Sequence, residues 1–216
     1  MKKILFAMIA SAVLFASCQS KEKKAEELIK SELSKTLYDF DSYQPIETTV
    51  KEAKATIFND TTCWKFGALL AYAMQETLEC IKNANNAKEH MDIWGPPSYY
   101  SSTYSDNQYY KYKAEYEKAN DEAFTNGMIC KATASLIKKT VAKLDTTKII
   151  GWEVSHRFRC KTKGGNSDIG NYRYIIDTEF KNILLREDTG SDEDKQIRDA
   201  LESAQTDYWD NIDFGN

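Results

Sequence analysis

In residues 152–160, Trp-Glu-Val-Ser-His-Arg-Phe-Arg-Cys, the apolar side chains fall at every second position, with His156 at the middle one. This period of two is typical of a β-strand with one buried face, because successive side chains of a strand point to opposite faces of a sheet. Residues 164–166, Gly-Gly-Asn, supply a turn, and residues 172–177 predict the returning strand. Residues 180–186 predict a third strand. The C-terminal part of the chain therefore predicts a small antiparallel sheet.

Two further elements are predicted near the N-terminus. Residues 22–39 place leucine and isoleucine side chains at helical spacing along one face, which indicates an amphipathic helix. The stretch 41–45 breaks this helix, because Pro45 forces the residue before it into an extended conformation. Residues 46–58 then predict an extended strand, in which apolar residues alternate with polar ones at the start.

The middle of the chain predicts two long helices, at about 61–91 and 107–144, separated by a Gly-Pro-Pro sequence at 95–97. Thr61 or Thr62 is the expected N-cap of the first helix. Two long helices joined by a short loop pack as an antiparallel hairpin. The residues expected on the buried face of the first helix are Cys63, Phe66, Leu70, Met74, Leu78 and Ile81.

Together these elements, with a short helix at 193–204, predict an α+β fold. It is a small antiparallel sheet with flanking helices and an inserted long antiparallel helical hairpin at about 61–144. The 216 residues are 42% hydrophobic and 29% charged, as in an ordinary globular protein with a core. The expected arrangement is a single domain over residues 25–216.

The N-terminus predicts export. Met1–Ser17 combines a charged start, Lys2 and Lys3, with about a dozen mostly apolar residues, too few to cross a bilayer core of roughly 20 residues. Residues 15–18, Phe-Ala-Ser-Cys, resemble the lipobox of bacterial lipoproteins. The resemblance implies removal of residues 1–17, acylation of Cys18 (palmitate among the expected chains) and a polar tether over residues 18–24. The alternative is a plain signal peptide cut near Ser17.

A lipidated Cys18 would attach the protein to a membrane through its lipid anchor, so a membrane is one expected partner. The expected location is the cell envelope: the periplasmic face or cell surface of the outer membrane, or the inner membrane. The net charge of −4, which becomes −6 when Lys2 and Lys3 are removed, argues against a nucleic-acid binder. Such proteins need a basic surface.

Four cysteines remain after Cys18, and an exported protein meets an oxidising compartment. A hairpin that folds near residue 99 brings Cys63 opposite about residue 135, close to Cys130. Cys63–Cys130 is therefore the expected disulfide, and the alternative is two reduced cysteines in the core. The sequence contains no Cys-x-x-Cys motif, which would indicate a zinc or redox site.

Three motifs carry a family resemblance: residues 41–45 after a helix, residues 151–165, and the pattern Tyr-x-Tyr-x-x-Asp-x-x-Phe-x-x-Ile over 172–183. Together they resemble small envelope lipoproteins common in Bacteroidota, which implies a location and a fold but no chemistry. The triplets that begin at Asp60 and Asp145 also resemble O-glycosylation acceptors of that group. The modified residues would be Thr61 and Thr146, and the alternative is that both triplets are helix caps and turns.

Signatures of catalysis are absent from the sequence. It contains no nucleophile elbow, no His-Glu-x-x-His and no phosphate-binding glycine loop. His90 is expected on the surface rather than on a metal, and His156 in the core. We therefore assign no catalytic residue, no metal and no other cofactor.

The segment 94–116 is rich in tyrosine and serine, a composition typical of recognition surfaces. The residues expected to form a surface for a protein or glycan partner are Trp94, Tyr99, Tyr100, Tyr104 and Tyr109. The alternative is that half of these rings seal the hairpin. The sequence thus favours a non-enzymatic, lipid-anchored binding protein. Its rivals are a cell-wall or glycan-processing enzyme with unrecognised carboxylates and a structural subunit of an envelope complex.

Overall fold

The computed structural model describes residues 20–211, in which five helices and four strands follow one another. They are α1 (Lys21–Thr36), β1 (Asp39–Lys54), α2 (Thr61–Trp94), α3 (Thr103–Val141), β2 (Ile149–Lys161), β3 (Ser167–Ile176), β4 (Ile183–Asp188), α4 (Asp192–Ala204) and the single turn α5 (Tyr208–Asn211). This order confirms the predicted α+β fold, with the helical hairpin inserted between two sheet strands. The described chain divides into two compact units, residues 20–55 with 145–194 and residues 56–144 with 195–211.

The first unit is a four-stranded antiparallel sheet in the order β1-β2-β3-β4. Across the first three strands, Val50 lies opposite Val154 and Val154 lies opposite Tyr174. These side chains share one face because residues in register point the same way. Both Val154 and Tyr174 are fully buried, so this face carries the core of the unit.

Helix α1 covers that face. Ala25, Ile29 and Leu33 recur every fourth residue and are fully buried against the sheet. Burial of each large aliphatic side chain contributes about 1.5–3 kcal/mol, which fixes the helix on the sheet. Ser20 caps the helix by accepting a hydrogen bond of 3.3 Å from the Lys23 amide. Because α1 begins at Lys21, the last residues of the predicted tether 18–24 are helical.

Strand β1 starts earlier and ends earlier than predicted, at Asp39 and Lys54 rather than at 46 and 58. Pro45 lies inside the strand, between two shifts of register. β1 is at the edge of the sheet, where a residue without an amide hydrogen is tolerated. Pro45 therefore marks an irregular edge strand rather than a break.

The second unit is built on the α2–α3 hairpin. Its seam is lined by small side chains, which let the two helices approach closely; the buried ones are Ala73, Cys80, Ala84, Ala87, Ala119, Gly127, Cys130, Thr133 and Ala134. Leu78 and Ile81, expected in this seam, are 67% and 45% exposed. Repeated steps of four residues drift by about 40° per step around a helix, whereas the buried positions from Ala73 to Ala87 are spaced by seven, four and three residues, which keeps them on one face.

The N-cap of helix α2 lies one residue before the expected caps, Thr61 or Thr62. Asp60 is the N-cap, and its Oδ1 accepts hydrogen bonds from the amides of Thr62 at 2.9 Å and Cys63 at 2.8 Å. Further along, Gly67 lies directly against Leu201 of α4. No helix within residues 20–211 combines the length and the apolar character needed to cross a lipid bilayer.

Candidate binding surface at the hairpin tip

The loop 95–102 at the hairpin tip has a defined start. Gly95 is the C-cap of α2, and its amide donates to the Met91 carbonyl oxygen at 2.9 Å. Its φ of 66° lies in the left-handed region that favours glycine. The chain therefore leaves α2 in one sharp turn directly after Trp94.

Serine side chains hold the rest of the loop. The Ser101 hydroxyl accepts a hydrogen bond from the Ser98 amide at 2.9 Å and lies 2.5 Å from Asp106 Oδ1, to which it donates. Ser102 is the N-cap of α3 and accepts from the Ser105 amide at 3.1 Å. These bonds fix the backbone that carries the tyrosines.

The structure brings the five predicted surface residues to this one end of the hairpin; we call Trp94, Tyr99, Tyr100, Tyr104 and Tyr109 the tip cluster. Tyr99 is 95% exposed, Tyr100 93% and Tyr104 64%. Trp94 and Tyr109 are half-buried. The cluster thus has a partly covered base and a projecting apex.

Contacts between rings are edge-to-face. Tyr99 and Tyr100 have ring centroids 5.3 Å apart with planes at 90°, and Trp94 meets Tyr104 at 5.6 Å and 81°. This is a favourable arrangement for aromatic pairs. It turns ring edges and faces in different directions, so the apex has no single flat platform.

Two exposed residues of this surface lie outside the five predicted ones. Ile93 is 72% exposed and Tyr110 57% exposed, and Tyr110 packs edge-on against Tyr109. Ile93 has no periodic signal because its neighbours in the helix are polar on that side. The charged residues between Met91 and Tyr110 are Asp92 and Asp106, and Lys111 follows directly, so the surface is mainly aromatic and carries charges of both signs.

The predicted Cys63–Cys130 disulfide is not formed, because both thiols are free and buried. Cys130 Sγ lies 4.0 Å from the Thr77 hydroxyl. Cys63 lies 14 residues before Thr77 on the same helix, which is about 21 Å along its axis. A disulfide needs Cα atoms within about 7 Å, so these two cysteines cannot be joined in this fold.

The error comes from the register of the hairpin. The ring contact of Trp94 with Tyr104 marks the tip, and the contact of Thr77 with Cys130 lies further down. These two contacts are separated by 17 residues along α2 and by 26 residues along α3. A fold point at residue 99 with equal spacing on both sides therefore misplaces the partner of Cys130.

The predicted modification sites have different surroundings. Thr146 is exposed in the turn after α3, beside Asp145, whose Oδ1 accepts from the Thr147 amide at 3.0 Å and the Thr147 hydroxyl at 2.6 Å. These hydrogen bonds lower the pKa of Asp145. Thr61 is half-buried in the first turn of α2. The lipidation site Cys18 and the signal segment 1–17 lie outside the described residues.

Both histidines have aromatic neighbours. His90 is exposed and stacks on Tyr112 with centroids 4.4 Å apart. His156 is buried, and its Nε2 and Nδ1 lie 2.9 Å from the hydroxyl oxygens of Tyr43 and Thr48. Burial lowers the pKa of His156 to about 4. His156 therefore acts as a neutral core residue.

An ion-paired row crosses the opposite face of the sheet. Lys51 lies 3.0 Å from Glu153, Glu153 lies 3.6 Å from Arg173, and Arg173 pairs with Glu187. The two glutamates are therefore bound to cations across neighbouring strands rather than placed as an acid–base pair around an open cleft. Within residues 20–211, no three His, Cys, Asp or Glu side chains converge where they could hold a metal ion.

Comparison of the chain with protein-family models, with curated proteins and with solved structures finds no match.

Proposed function

We propose that this protein is a non-enzymatic, lipid-anchored envelope protein that binds a protein partner through the tip cluster. The observation that carries the proposal is the near-complete exposure of Tyr99 and Tyr100 on a loop fixed by hydrogen bonds. Aromatic rings exposed together in this way are typical of surfaces that become buried in a complex.

The energetics of association support this choice. A tyrosine buries about 150–250 Å² when it is enclosed, and tyrosine and tryptophan are enriched among the residues that dominate binding energy. The loop around Ser101 is already ordered, so binding loses less conformational entropy. Rings on such a loop can act as rigid anchors.

The shape of the apex favours a protein over a glycan. Sugar rings stack on aromatic faces that lie flat, whereas Tyr99 and Tyr100 stand at 90° to each other and are each more than 90% exposed. Projecting rings of this kind fit into pockets of a partner. Because the apex residues Tyr99 and Tyr100 are uncharged and project from the loop, the expected partner surface contains an apolar cleft.

The anchor is supported by the lipobox-like sequence ending at Cys18, and mass spectrometry of the protein purified from its native membrane tests it. An acyl mass on Cys18 is expected. An unmodified Cys18 would remove the membrane from the proposal and leave the tip cluster to be tested separately.

Site-specific photocrosslinking in intact cells tests the binding surface. A photoreactive phenylalanine analogue at position 100 should give a discrete protein adduct, and the same analogue at Tyr72 should not. Tyr72 is a matched control because it is 62% exposed on the same hairpin, away from the tip. The adduct should also be lost when Tyr99 and Trp94 are both changed to alanine. A saccharide adduct at position 100, or equal adducts at both positions, would contradict a protein partner at the tip.

A further inference from the structure

A second exposed apolar surface lies on α3, away from the tip. Phe124, Met128, Ala132 and Leu136 recur every fourth residue and are all exposed, the three large ones by 42–48%. Ile129 adjoins them and is 39% exposed. At 100° per residue these positions cover about 120° on the side of α3 opposite the hairpin seam. We call them the α3 stripe.

A stripe of this width is what a helix normally turns toward a packing partner. We infer that the α3 stripe is a self-association surface, on which α3 of a second copy of this chain packs antiparallel about a two-fold axis near residue 130. The inference is independent of the function proposed for the tip cluster.

The order of side chain sizes fits this pairing. An antiparallel two-fold axis at residue 130 sets Phe124 opposite Leu136 of the second copy, and Met128 opposite Ala132. A long side chain thus meets a small one at the centre, which allows the surfaces to interlock as packed interiors do. Because the interface is isologous, each of these contacts occurs twice.

The charged residues at the two ends of the stripe favour pairing with a second copy of the chain. Asp121 lies three residues before Phe124, and Lys139 lies three residues after Leu136, both exposed. The same two-fold axis sets Asp121 of each copy opposite Lys139 of the other. A parallel pairing in register would set like charges together, so the charge order selects the antiparallel arrangement.

Charge reversal provides the test. Two differently tagged copies of the full chain are expressed together, the cells are lysed in detergent, and the second tag is measured after capture of the first. Wild-type chains should be captured together. Pairs in which both copies carry Asp121→Lys, or both carry Lys139→Asp, should lose capture about tenfold because two attractive contacts become repulsive.

A mixture of one Asp121→Lys copy with one Lys139→Asp copy should restore capture, since each lysine again faces an aspartate. Two copies sharing a micelle by chance, or a variant that fails to fold, cannot produce this restoration. Lys113→Asp is the matched control, because its two-fold partner position falls beyond the end of α3. The inference is overturned if wild-type copies are not captured together, if the single reversals are captured like wild type, or if the mixture stays as weak as the single reversals.

Discussion

His156 lies directly across the β1–β2 pair from Thr48, and its Nδ1 is 2.9 Å from the Thr48 hydroxyl oxygen. The other ring nitrogen lies 2.9 Å from the Tyr43 hydroxyl oxygen. A neutral imidazole with one donor and one acceptor satisfies both hydroxyl groups. Burial opposes the charged form and lowers the pKa of His156 to about 4, so protonation of this ring is coupled to unfolding.

The free energy of unfolding should therefore decrease as the pH is lowered from about 6.5 to about 4. In this range the unfolded chain binds a proton at His156, whose ordinary pKa is about 6.5, while the folded chain does not. The expected slope from this residue is roughly 1.4 kcal/mol per pH unit, and its contribution is complete above pH 6.5.

Chemical denaturation at a series of pH values measures this slope. His156→Gln keeps hydrogen-bonding groups but does not titrate, so this variant should be less stable at pH 7 and should show a shallower dependence on pH. Equal slopes for the two proteins would contradict the assignment of the effect to His156.

The hydroxyl group of Tyr174 is buried and has no hydrogen-bond partner among the described residues. An unsatisfied buried polar group costs about 1–3 kcal/mol. Tyr174→Phe should therefore raise the free energy of unfolding by about 1 kcal/mol, measured by denaturant titration. Tyr43→Phe is the matched control and should lower stability, because it removes the hydroxyl that pairs with His156. A loss of stability in Tyr174→Phe comparable to that in Tyr43→Phe would refute this account.

Most elements of this fold could be predicted from local patterns, because they have a clear period, whereas the bounds of the irregular strand β1 could not. The alternation in 152–160 predicts β2, and the buried positions Ala25, Ile29 and Leu33 lie on the helix face that the leucines indicate. The pairing between distant segments could not be predicted. His156 meets Thr48 and Tyr43 more than 100 residues away, and no short-range pattern specifies such partners.

For the tip cluster, too, the sequence predicts one part of the structure and not the other. Its composition was visible in the sequence, whereas the exposure of each ring depends on where α2 ends and how loop 95–102 is hydrogen-bonded. The register of the hairpin was equally inaccessible, because most buried positions of α2 and α3 carry small side chains, which allow neighbouring registers to pack alike. That ambiguity produced the incorrect Cys63–Cys130 bridge.

The free thiols give a chemical prediction. Burial, with Asp60 nearby, raises the pKa of Cys63 to about 12, and burial also raises the pKa of Cys130. In the folded protein neither thiol should react with an aromatic disulfide reagent at pH 8 on the timescale of minutes, whereas the half-buried Cys160 should react first. Both should react in denaturant. A Cys63–Cys130 bridged peptide in a nonreducing digest would contradict the structure.

The contact between α2 and α4 at Leu201 depends on Gly67. A Cβ atom at this position would lie 2.7 Å from Leu201 Cγ and 3.1 Å from Ile197 Cγ2. Alanine in place of a helical glycine ordinarily stabilises a helix by about 0.8–1 kcal/mol. Here the overlap with the fully buried Leu201 should outweigh that gain, and Gly67→Ala should destabilise the protein by about 1–3 kcal/mol.

A double-mutant cycle with Leu201→Ala distinguishes steric overlap from other causes. Leu201→Ala alone should cost about 2–5 kcal/mol because it leaves a cavity. In that background Gly67→Ala should cost much less, since the new methyl group occupies part of the cavity, and the two free-energy changes should not add. Gly164→Ala is the control, because a Cβ atom there meets the Thr162 hydroxyl at 3.7 Å, an ordinary contact. Additive effects in the cycle would show that the small residue at 67 serves something other than the approach of Leu201.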